Sequence, residues 1–221
     1  MTRIRAIAPG EYYHAFNRAA HRLGIFRDKA DYQRFLFNII YLQSPLVFKN
    51  VSRIASGFSE AGFPVPDETI SEILAGRSVE LTAFCLMPNH FHLLLKEVKE
   101  GGIETYLQRV AEGYTKYFHK RYESSGHVFQ GRYRSVHVKD DQQLMHLSAY
   151  IHRNPHGLSA WKGKEDIYPW SSLQDYVGVN RWGGLLASDI IASRFYGTKN
   201  SNYADFVKTS PAKLFGDEFE R

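Results

Sequence analysis

The stretch ELTAFCLMPNHFHLLLK, residues 80–96, determines how this chain folds. It consists of two apolar runs of strand length, and the turn-forming pair Pro88-Asn89 lies between them. This pattern predicts two antiparallel strands joined by a tight turn. Because side chains alternate along a strand, His90 and His92 share one face of the second strand, and Phe91 lies on the other. The hairpin therefore presents two imidazoles on one side of a sheet.

The segments around this hairpin alternate between strand and helix patterns. Asp28 and Asp141 have the residue type of a helix N-cap, and Pro155 is predicted to end the later helix near Asn154. The predicted strands are residues 11–17, 80–87, 90–96 and 131–139, and the predicted helices are residues 28–42, 103–122 and 141–154. This β-α-β-β-α-β-α order predicts an α+β, ferredoxin-like antiparallel sheet with helices on its faces and one extra helix.

Two parts of the chain fall outside this pattern. Residues 44–78 contain a Gly- and Pro-rich break and a short helical pattern, and we interpret them as an insertion. Residues 158–221 are interpreted as a mostly helical C-terminal extension. The sequence therefore predicts a first domain at residues 1–157, interrupted at about 44–78, and then the extension.

Composition excludes several classes of protein. The chain has 221 residues, 43% of them hydrophobic, a formal net charge of +5 and a single cysteine, Cys85. A lone cysteine excludes a disulfide framework and an all-cysteine metal site. No apolar run approaches the roughly 20 residues needed to cross a bilayer, and the N-terminus has no apolar secretory core. We expect a soluble protein without a membrane partner that acts in the cytoplasm.

The two histidines of the hairpin are candidate metal ligands. Side chains two residues apart on a strand lie about 6–7 Å apart on one face, so His90 and His92 could chelate one ion between them. The alternative is a pair of structural histidines on a half-buried strand.

Tyr150 and Asn154 form a second candidate pair. They are separated by four residues and lie on neighbouring turns of one helix. An Asn oxygen is a hard ligand that suits Mg²⁺ or Mn²⁺, so Asn154 could complete a site begun by the two histidines. That arrangement suits a tyrosine that attacks a phosphodiester next to a bound divalent ion. The alternative is a boundary tyrosine whose hydroxyl lies in water.

Other tyrosines and histidines compete with this assignment. Tyr114, Tyr117 and Tyr122 lie on the helix at 103–122, where we expect them to pack rather than react. His146 and His152 flank Tyr150; we expect surface positions for both, with help in proton transfer as the alternative. Strand tyrosines that could either stack on bases or pack are Tyr12, Tyr13 and Tyr133.

Positive charge is concentrated in the middle of the chain. Residues 103–139 contain seven basic and three acidic residues, which suits a phosphate backbone. Arg132 and Arg134 alternate onto one face of their strand and form a candidate phosphate clamp; a solvated strand face is the alternative. The candidate DNA-binding residues are Arg109, Lys116, Lys120, Arg121, Arg132 and Arg134.

Four short motifs, in this order, resemble one known family. They are MPNHFHLLL at 87–95, GHVFQGRYRS at 126–135, YIHRNP at 150–155 and YPWSS at 168–172. The chain is similar in these motifs to the REP-associated tyrosine transposases, which belong to the single-tyrosine HUH transposases. The opening segments YYHAFNR and IFRDKADYQRF resemble the start of that family as well.

The resemblance implies a ferredoxin-like domain that acts on single-stranded or hairpin-forming DNA. His90 and His92 match the metal ligands of the family, Asn154 matches the third ligand, and Tyr150 matches the nucleophile. The implied cofactor is Mg²⁺ or Mn²⁺. The implied reaction is a transesterification in which Tyr150 forms a 5′-phosphotyrosine link and a free 3′-hydroxyl departs. A DNA substrate also implies association with the nucleoid.

Two other functions remain open at this level. One is a non-catalytic DNA- or RNA-binding regulator derived from a transposase, and the other is a metal-dependent phosphodiesterase that uses water. Oligomeric state is open as well, since a homodimer could bring Tyr150 of one chain to the histidines of another.

Overall fold

The protein is built on a four-stranded antiparallel sheet with the strand order β2-β3-β1-β4. The computed structural model describes residues 7–20, 24–60, 64–195 and 202–211, without the side chains of residues 59 and 60. The strands are β1 (Tyr12–Arg18), β2 (Val79–Met87), β3 (His90–Glu97) and β4 (Arg134–His137). The two central strands, β3 and β1, pair along their whole length, from Tyr12 opposite Lys96 to Arg18 opposite His90.

The predicted hairpin is confirmed. Strands β2 and β3 pair antiparallel around the Pro88-Asn89 turn, with Met87 opposite His90 and Cys85 opposite His92. The carbonyl oxygen of Pro88 accepts hydrogen bonds from two backbone amides of the loop after β1, which ties the turn to that loop. Cys85 is buried, as expected for a thiol in an apolar strand.

One face of the sheet is covered by α1 (Lys29–Tyr41) and α4 (Gly102–Tyr122). Asp28 caps α1, because its carboxylate accepts the amides of Ala30 and Asp31. The strands contribute alternate apolar side chains to this core, including Tyr13, Phe91 and Leu93. Aromatic and aliphatic residues of both helices complete this buried apolar layer.

The opposite face is covered by α5 (Asp141–Arg153), the helix that carries Tyr150. Its buried side contacts β2 and β3 through a second core that includes Cys85, Leu94 and Leu147. The prediction that Asp141 caps this helix is wrong by one residue: the extended residue Asp140 accepts the amide of Gln143, and Asp141 lies in the first turn. Two neighbouring aspartates satisfy the same sequence rule, and backbone geometry selects the first.

The element order and strand order are those of a ferredoxin-like α+β fold with an extra helix, as predicted. Strand β4 is shorter than the predicted 131–139. Gly131 has a φ of +150°, which interrupts the extended backbone, and its carbonyl accepts the side-chain amide of Asn17 instead of a ladder bond.

The insertion at 44–78 contains two helices, α2 (Val51–Glu60) and α3 (Asp67–Gly76). Only the second matches a pattern that the sequence predicts. Together with the end of α1 the insertion lines an apolar cleft of about 320 Å³, whose walls include Tyr41, Phe48 and Phe58. Residues 61–63, within the insertion, lie outside the described residues.

After α5 the chain continues through short helices that pack on the second core. They are α6 (Leu173–Val177), α7 (Asp189–Ala192) and α8 (Tyr203–Thr209). The described residues after α5 also form 3₁₀ turns at Asn154–Gly157, Glu165–Ile167, Gly183–Leu185 and Ser193–Phe195. Residues 196–201 and 212–221 of the predicted extension lie outside the described residues. The boundary at 157 stays a prediction. In the described part of the chain, no helix has the length and apolar character needed to span a membrane.

Candidate active site

The two histidines of the hairpin lie on the sheet face that α5 covers. His90, at the start of β3, is partly exposed, whereas His92 is buried. Their ring centroids are 5.0 Å apart, and the ring planes are perpendicular. The strand alternation predicted from the sequence therefore places the two rings side by side at one end of the sheet.

A third histidine, His14, joins them from the neighbouring strand β1. Its Nε2 lies 2.9 Å from Nδ1 of His92, and the two rings are stacked with centroids 5.1 Å apart. His14 is buried. It is not among the residues that the sequence predicts, since its partnership depends on the β1–β3 register. The sequence holds one indication of this role: His14 lies in the quoted YYHAFNR segment, on the same side of its strand as Phe16.

The other ring nitrogen of His92 has no hydrogen-bond partner. Its Nε2 is fully buried and finds no donor or acceptor among the described residues. Burial, followed by the nearby His14, His90 and Arg18, holds the pKa of His92 well below its ordinary value. The ring is therefore neutral near pH 7, which is the form that binds metal ions. This orphaned nitrogen fits a metal ligand.

Tyr150 completes the cluster from α5. The centroid of its partly exposed ring lies 5.6 Å from that of His92 and 6.1 Å from that of His14, edge-on to both. The structure thus brings the predicted nucleophile to one of the predicted ligands within a single chain. Packing of α5 across β2 and β3 achieves this placement.

Asn154 follows Tyr150 by one helical turn and ends α5. Its side-chain Nδ2 donates to the carbonyl oxygen of Tyr150 at 2.9 Å, so the amide group is oriented by its own helix and its oxygen is the remaining acceptor. Its role as a third metal ligand stays a prediction. Among the described residues, no three His, Cys, Asp or Glu side chains converge as a metal site. The predicted ligands are His90, His92 and Asn154. Because one of them is an amide, they are not a cluster of three such side chains.

Four of the six predicted DNA-binding residues lie on α4, which covers the opposite face of the sheet. Arg109 donates to the carbonyl oxygens of Leu42, Ser44 and Leu46 and so ties down the chain after α1. Arg121 forms ion pairs with two aspartates at the start of α1, Asp28 at 2.6 Å and Asp31 at 2.8 Å. The remaining two, Lys116 and Lys120, are exposed. The structure does not bring these four to Tyr150.

Arg134 is placed differently. It is exposed and lies opposite Phe16 in the β1–β4 pairing, while Phe16 lies opposite His92 in the β1–β3 pairing. Cross-strand partners share a face, so Arg134 lies on the face of the histidines. Its guanidinium carbon is 5.9 Å from the Phe16 ring centroid. Arg132, also exposed, precedes the strand.

Arg18 is a second basic residue at the site, and the sequence does not single it out. It is exposed at the end of β1, directly opposite His90 in the sheet register. Its charge contributes to the lowered pKa of His92, which indicates that it lies near that ring. Arg18 and Arg134 therefore give the open end of this face a positive potential.

The competing tyrosines on α4 pack or make internal hydrogen bonds, as expected. Tyr114 is buried and donates to the carbonyl of Ile25, and the hydroxyls of Tyr117 and Tyr122 donate to the carboxylate of Asp31. On β1, Tyr13 is buried in the first core and Tyr12 is half-buried on the face of the histidines. Tyr133 is half-buried against the first core.

The expected surface position of His152 is wrong. His152 is fully buried: Nδ1 pairs with the Tyr203 hydroxyl and Nε2 with the Ser172 hydroxyl, each at 2.7 Å. Chain segments that follow α5 cover it, which no pattern within the helix indicates. His146 is partly buried and pairs with the Ser210 hydroxyl at 3.0 Å.

Comparison with known proteins gives one family and one fold. The family model described as IS200-like transposase matches residues 60–154, which include both hairpin histidines and Tyr150. No match was found among curated proteins. A solved structure of a REP-associated tyrosine transposase bound to a REP hairpin is 17% identical, with a TM-score of 0.53, and the match covers 80% of this chain and 84% of that chain.

A second solved structure comes from Deinococcus radiodurans R1, and its assignment as a transposase is itself provisional. It is 14% identical with a TM-score of 0.30, over 69% of this chain and 97% of that chain. Because the first structure is only 17% identical, its similarity shows that the two chains share a fold and nothing more. The shared fold agrees with the ferredoxin-like sheet described above. Both findings agree with the resemblance seen in the motifs: residues 60–154 are similar to the IS200-like transposase model, and the fold is shared with a REP-associated tyrosine transposase.

Proposed function

We propose that this protein is a metal-dependent DNA strand transferase that cleaves and rejoins single-stranded or hairpin DNA through a 5′-phosphotyrosine intermediate. The observation that carries the proposal is the contact of Tyr150 with His92, whose ring centroids are 5.6 Å apart, beside His90 and in one chain. The transposase family match over residues 60–154 supports the same class of reaction. Because all these groups belong to one chain, the proposal needs no second copy.

The residues present fit a divalent metal ion. His90 and His92 would hold Mg²⁺ or Mn²⁺, with the Asn154 side-chain oxygen as third ligand. The unpartnered Nε2 of His92 is the observation that supports this assignment. When bound, the ion would supply Lewis-acid polarisation of a phosphate oxygen.

The covalent step exchanges one phosphodiester for another. The Tyr150 oxygen forms a bond to the scissile phosphorus, and the bond between phosphorus and the 3′ oxygen breaks. The phenol loses its proton to solvent, and the departing 3′ oxygen gains one. Because bond types are conserved, the reverse attack by a 3′-hydroxyl rejoins DNA without an external energy source.

Arg18 and Arg134 would hold the DNA backbone at the open end of the site. Both are exposed on the face that carries the histidines, and guanidinium groups bind phosphate oxygens in a bidentate manner. The structural relative named above is bound to a REP hairpin, which supports a hairpin as the first substrate to test. A DNA substrate places the proposed activity at the nucleoid in the cytoplasm.

Covalent capture of labelled DNA tests the proposal. Wild-type protein, incubated with a 3′-labelled hairpin and Mn²⁺ or Mg²⁺, should give a labelled protein–DNA adduct on a denaturing gel. With a 5′-labelled hairpin, the label should instead leave on the free fragment that ends in a 3′-hydroxyl. Tyr150→Phe should fold normally and give none. Tyr12→Phe is the matched control, because Tyr12 is half-buried on the same face, and it should keep the adduct.

Three outcomes would contradict the proposal. An adduct formed by Tyr150→Phe would show that another residue is the nucleophile. Cleavage by the wild type without an adduct would indicate a phosphodiesterase that uses water. Hairpin binding without cleavage, with either metal, would indicate a non-catalytic regulator.

A further inference from the structure

The two hairpin histidines are each held by a hydrogen bond at the same ring position. Nδ1 of His90 lies 2.6 Å from the side-chain oxygen of Asn89, and Nδ1 of His92 lies 2.9 Å from Nε2 of His14. Partners of this kind fix the tautomer and the orientation of metal-binding imidazoles. The two partners differ in one respect: Asn89 is adjacent in sequence, whereas His14 comes from another strand.

The proton on His90 follows from the chemistry of its partner. The side-chain oxygen of Asn89 can only accept a hydrogen bond, so Nδ1 of His90 carries the proton. In the neutral ring, Nε2 then has the lone pair.

The proton on His92 follows from burial. Between two neutral imidazoles, one nitrogen donates and the other accepts. If His14 donated, His92 would carry its proton on Nε2, which is buried without an acceptor among the described residues. A buried N–H without a partner costs roughly 1–3 kcal/mol. Donation from His92 Nδ1 avoids that orphan donor and leaves Nε2 with a lone pair.

We propose that His14 is a positioning residue that accepts the Nδ1 proton of His92 and thereby directs the His92 Nε2 lone pair to the metal. This inference rests on the proposed function, because it takes His92 as a ligand. His14 is well suited to the role. It is buried, it stacks on Phe16 with centroids 4.8 Å apart, and its ring meets the edge of Tyr150. One side chain therefore contacts both a predicted ligand and the predicted nucleophile.

Two substitutions separate this role from simple packing. His14→Phe keeps a ring of similar size and removes the acceptor. In His14→Gln the side-chain oxygen can take the place of Nε2 as the acceptor. A merely structural His14 would be replaced better by Phe, whereas a proton acceptor would be replaced better by Gln.

The first measurement is the tautomer of His92 in metal-free protein, from ¹⁵N NMR of the imidazole nitrogens. We expect the proton on Nδ1 in the wild type and in His14→Gln, and a shift toward the Nε2–H form in His14→Phe. Phe16→Leu is the control, because it removes the ring that stacks on His14 without removing a hydrogen bond. It should leave the tautomer unchanged.

The second measurement is Mn²⁺ affinity without DNA, by calorimetry. His14→Phe should bind roughly 10- to 100-fold more weakly than the wild type, and His14→Gln within a few-fold of it. Equal affinity in His14→Phe, or a wild-type His92 with its proton on Nε2, would overturn the role of His14 while metal binding stands. A wild type that binds no Mn²⁺ or Mg²⁺ would overturn the proposed function itself, and the role of His14 with it.

Discussion

Two of the buried histidines, His92 and His152, have different hydrogen-bonding surroundings. His152 is on α5 itself and faces the C-terminal segments, whereas His92 is on β3 and faces the tyrosine. Burial lowers the pKa of both rings. His152 has partners at both nitrogens, the hydroxyls of Tyr203 and Ser172. His92 has a partner at one nitrogen, and its other nitrogen has none among the described residues.

This difference separates a structural histidine from a candidate ligand. When both ring nitrogens of an imidazole are hydrogen-bonded within the fold, neither is available to bind a metal ion. An unpartnered nitrogen alone is weaker evidence, since other buried atoms, such as Thr82 Oγ1 and Ser44 Oγ, also lack partners in the part of the chain that the structure describes. The His92 nitrogen carries more weight because a second histidine and a partly exposed tyrosine lie against the same ring.

The largest effect is expected at the two histidines of the β2–β3 hairpin. His90→Ala and His92→Ala should each reduce cleavage of hairpin DNA by about 1,000-fold or more, equivalent to roughly 4 kcal/mol in the barrier. Binding of hairpin DNA should stay within a few-fold of the wild type, because the proposed metal ligands act on the reacting phosphate. Gel assays of cleavage and anisotropy assays of binding check this. An equal loss of cleavage and binding would show that these histidines are structural, as we expect for His152.

The second effect is expected at His152, on stability rather than activity. His152→Phe should lower the free energy of unfolding at pH 7.5 by about 2 kcal/mol, because two buried hydroxyls each lose one of their hydrogen-bond partners. Adduct formation per folded molecule should be retained. Urea unfolding measures the first quantity, and the covalent-capture assay measures the second.

The same variant should also show a changed pH dependence. Burial lowers the pKa of His152 to about 3, whereas the unfolded chain binds its proton near pH 6.5. The stability that the neutral ring contributes is therefore present above pH 6.5 and lost as pH falls toward 3, by about 1.4 kcal/mol per unit. Between pH 7.5 and pH 5 the wild type should lose about 2 kcal/mol more than His152→Phe. Parallel pH profiles would contradict a buried neutral His152.

The smallest effect is expected at the surface and compares the two faces of the sheet. Arg134→Ala should weaken hairpin binding by about fivefold and reduce the salt slope by about one, as for a single phosphate contact. Lys120→Ala, on the opposite face, should have less effect. Anisotropy titrations at several salt concentrations check both. A larger effect at Lys120 would support the sequence-based prediction that α4 holds the backbone, with DNA crossing both faces.

Local patterns predicted what depends on neighbours in sequence. The alternation of 80–96 predicts the hairpin and the shared face of His90 and His92, because side-chain direction repeats every two residues. Spacing along α5 likewise predicts Tyr150 and Asn154 on adjacent turns. The ends of elements are less well defined locally, as Asp140 and the short β4 show.

Contacts between distant segments were beyond such patterns. The burial of His152 depends on Tyr203, 51 residues later, and the partnership of His14 with His92 spans 78 residues. Arg109 and Arg121 look like DNA-binding residues in a basic segment, but the structure engages them with carbonyl oxygens and aspartates near α1. A charge pattern counts basic residues without identifying the partners that the fold brings to them.

The sequence by itself determined the order of strands and helices in the ferredoxin-like part of the chain, the face shared by His90 and His92, and the neighbouring helical positions of Tyr150 and Asn154. Each of these follows from a pattern that is local in sequence. Tertiary structure alone decided that α5 lies across the sheet with Tyr150 against His92, that His14 holds this ring, and that α4 lies on the far face. Strand register and helix packing set these distances, and both depend on the burial of side chains far apart in the chain.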